Sequence, residues 1–263
     1  MRSVTSILLL ALFLSSCTEF IAEIDADKNW ELKENGPIKL YYKKQGACEA
    51  PSPESHQAQS ILDNQKYYYQ AIQDSIQKTF SEPVLIYLYN KDQAKKAIGT
   101  SGGGLSQSQY MTIYYTFIHD IKPYTDKFGI KNPFVGAHEM CHIITHNLLG
   151  NPGTKMMSEG YAVWLDGSYG RKDINYYIRK FKTGYPEYVM TPTQLLNEAF
   201  GDEMIYYPNA GILIRYWVRQ FGVEKINRLF SVSRENFEGK FKKITETSWN
   251  EMERHYHHYI NDL

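Results

Sequence analysis

The stretch Pro133-Phe134-Val135-Gly136-Ala137-His138-Glu139-Met140-Cys141-His142 constrains this chain more than any other. It contains the pattern H-E-x-x-H. Residues i and i+4 lie on one side of a helix about one turn apart, so the imidazoles of His138 and His142 can aim at one point. Glu139 is rotated roughly 100° from His138 and sits beside that point, where it can act as a general base without ligating. On a helix, this pattern can hold a zinc ion. Asn132 is a good N-cap, Pro133 suits a first helical position, and Gly150 followed by Pro152 is a stop signal. Apolar residues at Phe134, Ala137, Cys141, Ile144, Leu148 and Leu149 recur with helical period. The spacing predicts a helix over 133–149 with one buried side.

A catalytic zinc takes three protein ligands and keeps one open position. His146 continues the i+4 series, but it would stand roughly 12 Å from His138 along a straight helix. It is therefore expected beside the ligands or at the surface. Glu159, in Met157-Ser158-Glu159-Gly160-Tyr161-Ala162-Val163-Trp164-Leu165, is the better third ligand. A second helix is expected to start near Lys155, after the Gly150–Gly153 turn, and to run back past the first. Gly160 and Ala162 would allow the close approach.

His138-Glu139-x-x-His142 followed by Glu159-Gly160-x-Ala162 resembles the gluzincin metallopeptidases, particularly the compact aminopeptidase-like branch. The resemblance extends over residues 37–260, with the motif stretch its distinctive part. It implies an α+β, zincin-like fold: an N-terminal mixed sheet with helices, a metal-binding helix, then a mainly helical C-terminal lobe. It implies one Zn²⁺ per chain on His138, His142 and Glu159, with Glu139 as general base. It also implies an oxyanion donor, which Tyr207 in Tyr206-Tyr207-Pro208-Asn209-Ala210-Gly211 fits best, and an edge strand that pairs with a peptide substrate. Asp166, two turns beyond Glu159 on the same face, could orient a ligating histidine. The family's acid one turn after the ligand is missing, since Val163 stands there.

Met1–Ser16 reads as a targeting segment, with Arg2 its charge and Ile7–Leu14 an apolar run too short to span a bilayer. Leu14-Ser15-Ser16-Cys17 resembles a bacterial lipobox, which implies cleavage before Cys17 and a lipid on that cysteine. Residues 17–35, with Glu19, Glu23, Asp25 and Asp27, read as a tether. Residues 36–263 then form the peptidase-like domain, with a sheet and metal-helix lobe over 36–150 and a helical lobe over 151–263. The expected location is the cell envelope, anchored by lipid to a membrane, with the outer membrane or cell surface favoured. The chain carries 29 basic and 29 acidic residues, a balance that argues against a nucleic-acid partner. Cys48 and Cys141 could pair in an oxidising compartment, but two cysteines make no disulfide framework. Cys141 reads as a small buried apolar residue.

Ile38–Lys43 and Val84–Tyr89 read as strands, His56–Phe80 as a long amphipathic helix and Asp92–Ile98 as a short one. Gly102-Gly103-Gly104 lacks the Lys-Ser/Thr of a phosphate loop and is expected to be a flexible turn, with a turn bordering the active site as the alternative. Tyr110–Phe117 is the strand before the metal helix, where a substrate-pairing edge would lie; the alternative is a central strand. Helices are expected at Tyr176–Phe181, Thr193–Phe200, Asn209–Phe221, Val223–Phe230 and Trp249–Ile260. His255, His257 and His258 are assigned to the surface. The leading expectation is a lipid-anchored zinc metallopeptidase acting on peptides or proteins. The alternative is a non-catalytic peptide- or protein-binding lipoprotein that retains the scaffold.

Overall fold

The computed structural model describes residues 30–43, 52–98, 103–118, 124–131, 134–199 and 201–263. The lipobox cysteine Cys17, Cys48, Asn132 and Pro133 lie outside the described residues. The protein is α+β, with one mixed five-stranded sheet followed by a mainly helical half. Strands β1 (Trp30–Asn35) and β2 (Ile38–Lys43) form an antiparallel hairpin. Residues 30–35, read above as the end of a tether, are therefore part of the sheet. Trp30, Leu32 and the cross-strand partners on β2 give that segment a pairing surface its acidic residues concealed. Helix α1 (Ser55–Ile76) then carries the chain to β3 (Val84–Tyr89), parallel to β2.

Helix α2 (Lys91–Ile98) follows, then β4 (Gly104–Gln107) and β5 (Thr112–Thr116). The sheet order is β1-β2-β3-β5-β4, with β5 parallel to β3 and β4 antiparallel to β5. This corrects two expectations. The strand predicted over Tyr110–Phe117 is β5, an interior strand, and Gly104, assigned to a flexible turn, opens the edge strand β4. The short helical turn Ser108–Tyr110 and Met111, at φ +52°, reverse the chain between them. No alternating apolar run marks β4, which explains why periodicity passed over it.

The sheet has two unlike faces because successive side chains point to opposite sides. Ile38, Leu40, Tyr42, Val84, Ile86, Leu88, Ile113 and Tyr115 face α1 and the main core. Tyr41, Tyr87 and Tyr114 line the other face in a stack, with centroids 5.0 and 5.6 Å apart. Trp30 stands edge-on to Tyr87.

The helical half begins with α3 (His138–Leu149) and α4 (Lys155–Asp166). The hairpin β6 (Ser168–Tyr169) and β7 (Lys172–Asp173) leads into α5 (Ile174–Gly184), then α6 (Pro192–Leu196). Helix α7 (Glu203–Phe221) precedes α8 (Val223–Asn227), α9 (Phe237–Thr245) and α10 (Trp249–Asn261). Helix α7 starts before Pro208 rather than after it, because Asp202 caps it by accepting from the Met204 N–H at 2.8 Å. One hydrophobic cluster runs from the sheet through α1 to α10. Among the described residues no helix is long and apolar enough to cross a membrane.

Helices α4 and α7 pack at small residues. A Cβ on Gly160 would lie 2.7 Å from Ile214 Cγ1 and 3.0 Å from the Ala210 carbonyl oxygen. A Cβ on Gly211 would lie 2.5 Å from Val163 Cγ1. The close approach that Gly160 allows is thus to α7, and not to the metal helix as its neighbourhood in sequence implied. Gly160→Ala should cost about 1–3 kcal/mol of stability, read as a lowered denaturation midpoint at unchanged slope.

Candidate metal centre

The start of α3 is held from three sides. Asp166, the last residue of α4, accepts from the Ala137 N–H at 2.6 Å through Oδ1, and Ser168 donates to its Oδ2. The Gly136 carbonyl accepts from Gln65 Nε2 of α1 at 2.9 Å and from the Tyr115 hydroxyl of β5 at 3.2 Å. Gly136 itself is required, since a Cβ there would lie 2.7 Å from Asp166 Oδ1. The helix therefore begins at His138, later than the predicted 133. Phe134 to Gly136 are spent on this clamp, and Asp166 takes the capping role expected of Asn132.

Helix α3 ends at Gly150, whose φ of +88° turns the chain. Thr154 caps α4 by accepting from the Met157 N–H at 3.1 Å. Gly153 fits this turn because a Cβ would collide with the Val232 backbone. The end of α4 bonds the start of α3, so the two helices run back to back. That arrangement brings Glu159 against the histidine pair.

His138 Nε2 and His142 Nε2 are 3.2 Å apart, and Glu159 Oε2 lies 3.3 Å from the first and 3.5 Å from the second. Donor atoms of His138, His142 and Glu159 all fall within 4.8 Å of one another, so this group could hold a metal ion. The fit can be tested by geometry. A tetrahedral ion with bonds of about 2.0–2.1 Å needs its donors ~3.3 Å apart. The three observed separations match that value.

The electrostatics carry the same sense. Burial pulls the His138 imidazole down, but its hydrogen bond to Glu159 and the charges of Glu139 and Glu159 outweigh that and raise it to about 9. Burial pushes the Glu159 carboxyl up, but hydrogen bonds from His138 and His142 hold it well below its ordinary range. The cluster is thus tuned to keep a carboxylate ionised beside positive charge.

The remaining expected residues fall as follows. Asp166 positions α3 through its backbone; it accepts from the Ala137 N–H and the Ser168 hydroxyl, and it does not orient a histidine ring directly. His142 Nδ1 is buried with no hydrogen-bond partner. His146 sits between Ser108 Oγ and Ser158 Oγ, each 3.3 Å from a ring nitrogen, and burial followed by the His142 charge lowers it to about 4. Cys141 is a buried free thiol on the core side of α3. Tyr206 is core, donating to the Leu195 carbonyl at 2.8 Å. Tyr207 faces the site, its ring stacked on His138 with centroids 6.2 Å apart at 12°.

His138, Glu139, His142, His146, Glu159 and Tyr207 line an open cleft of about 1370 Å³ whose other wall is β4. The Thr116 N–H donates to the Gly103 carbonyl, so the antiparallel alternation leaves the N–H and C=O of Gly104 and Ser106 to the open edge. Strand β4 comes so close to the metal helix that a Cβ on Gly104 would lie 2.6 Å from Glu139 Cγ. Sequence reasoning missed Tyr169, Arg171 and Glu203 as cleft residues, and missed that Gly104–Gln107 is a strand. For β4 the signal was Gly104 itself, a glycine inside a strand marking close approach of another group. No protein-family model matches the chain, and no curated protein matches its sequence.

His138 titrates near 9 without metal, against 6.5 for an ordinary imidazole. Its protonated pairing with Glu159 therefore stabilises the metal-free fold fully below pH 6.5 and fades as pH rises through about 9. An ion must displace that proton, so metal binding at neutral pH should release at least one proton. Calorimetry in buffers of different ionisation enthalpy measures this, and buffer-independent heats would contradict it. Gly104→Ala should displace Glu139 while leaving metal stoichiometry intact, seen as a loss of any Glu139-dependent activity at full metal content.

Proposed function

We propose that this protein is a zinc-dependent metallopeptidase of the gluzincin type with a zincin-like fold. The observation that carries this reading is the triangle of His138 Nε2, His142 Nε2 and Glu159 Oε2, sized for a tetrahedral ion, with Glu139 beside it and an open strand edge opposite. Zinc on these three ligands would supply Lewis-acid chemistry, acidifying water and polarising a peptide carbonyl.

The chain's own residues do the rest. Glu139 takes the proton of the attacking water and returns it to the leaving amine nitrogen. Tyr207 donates a hydrogen bond to the oxygen that gains charge. Burial, followed by the charges of Glu159 and Glu203, pushes its phenol up, so it keeps the proton it must donate. The peptide extends along β4, satisfying the outward N–H and C=O of Gly104 and Ser106 as an added strand. Met1–Ser16 and the lipobox before Cys17 support export and a lipid anchor at the bacterial cell envelope.

Purified protein should contain about one zinc per chain and cut members of a peptide library. Glu139→Gln should retain the metal and lose cleavage by a factor on the order of 100 or more. Stoichiometric zinc with no cleavage by the wild type would favour the non-catalytic, peptide-binding lipoprotein. Absence of tight metal would remove both.

A further inference from the structure

One end of the cleft holds a cation that the zinc chemistry leaves unused. Arg171 is the only lysine or arginine among the described residues lining the cleft. It is half-buried, and among the described residues no carboxylate lies within ion-pair distance of it. Glu203 lines the same end but is bonded to the Tyr207 hydroxyl, at 3.4 Å, and forms no ion pair with Arg171. A guanidinium that faces a cleft with no carboxylate partner among the described residues is a strong, directional hydrogen-bond donor to a carboxylate.

The backbone gives an independent indication. Gly170 and Arg171 are the two turn residues between β6 and β7, at φ +51° and +63°. A two-residue hairpin with both φ values positive favours glycine or asparagine at both positions. Arginine in that conformation costs backbone energy. The other described non-glycine residues with positive φ, Gln77, Met111, Glu198 and Glu246, follow helix ends. Of these residues Arg171 alone lines the cleft, and strain of this kind collects where a side chain is used. The hairpin is anchored to the site, since Tyr169 packs on Tyr207 with centroids 5.2 Å apart, and Tyr207 stacks on His138.

We propose that Arg171 selects substrates by binding a carboxylate of the peptide, either an Asp or Glu side chain or a free C-terminus, at the tyrosine end of the cleft. This rests on the peptidase reading above and adds its substrate class. The opposite end, with Asn147, Asn151 and Gln107, offers no charge of this kind.

The test uses the zinc-loaded mature chain and internally quenched peptides with a neutral core. Gln is replaced by Glu at each position in turn, and each peptide is made with a free-acid and an amidated C-terminus. The readout is the ratio of kcat/KM for the carboxylate peptide to that for its neutral twin within one variant, so a general loss of activity cancels. Wild type should prefer one carboxylate position by roughly tenfold or more. Arg171→Gln should bring that ratio close to one, and Arg171→Lys should restore part of it. A preference confined to the free-acid peptides identifies the C-terminus, and one confined to a Glu position identifies a side chain. No preference in wild type, or a preference that survives Arg171→Gln, overturns the proposal. The same peptide set, titrated by fluorescence polarisation onto Glu139→Gln protein with and without Arg171→Gln, reads the ratio without catalysis. If no peptide is cut yet this binding preference depends on Arg171, hydrolysis fails and carboxylate recognition stands.

Discussion

The structure depends on one carboxylate being held ionised between two imidazoles inside a cleft. Three donors at 3.2–3.5 Å are too close to be left uncompensated in a half-buried place. Without an ion, a proton on His138 supplies the positive charge; with one, the ion does. The arrangement survives because its two helices are locked at both ends. Asp166 ties the last turn of α4 to the first of α3, and Gly153 and Thr154 set the turn at the other end. Glu159 does not choose its position; the hairpin of helices delivers it.

The sheet is joined to this centre by contacts of similar economy. Tyr115 reaches from β5 to the Gly136 carbonyl, and Gln65 reaches the same oxygen from α1. The start of α3 is therefore registered against the sheet. Strand β4 then passes Glu139 with no room for a side chain on Gly104. The carboxylate proposed as base and the strand edge proposed to take substrate are brought within contact by that single missing Cβ. On the far side, α7 meets α4 at Gly160 and Gly211, which brings Tyr207 over His138.

Legibility followed the range of the interactions involved. His138, Glu139 and His142 could be read because their relation is set within one turn of helix. Glu159 could be read because a short turn forces the next helix back across the first. Ile38–Lys43 and Val84–Tyr89 matched their strands, since a buried strand carries its own apolar pattern. The start of α3 was misplaced because its cap, Asp166, lies 29 positions away in sequence. Strand β4 was missed because it has no hydrophobic alternation of its own, and Trp30–Asn35 because its alternation is only Trp30 and Leu32; each is a strand by virtue of a neighbour. Asp166 was assigned to a histidine when its partner is a backbone N–H, a distinction that spacing along a helix cannot make.

By itself the sequence determined which side chains could share an ion, since helical periodicity converts residue spacing directly into direction. It also determined the α+β order of elements, because apolar period and turn residues act over a few positions. Only the tertiary structure decided which strand became the open edge, which of two adjacent tyrosines faced the centre, and that Arg171 stands at the cleft with no carboxylate partner among the described residues. Those outcomes are settled by packing between segments far apart in the chain, where no local pattern carries the information.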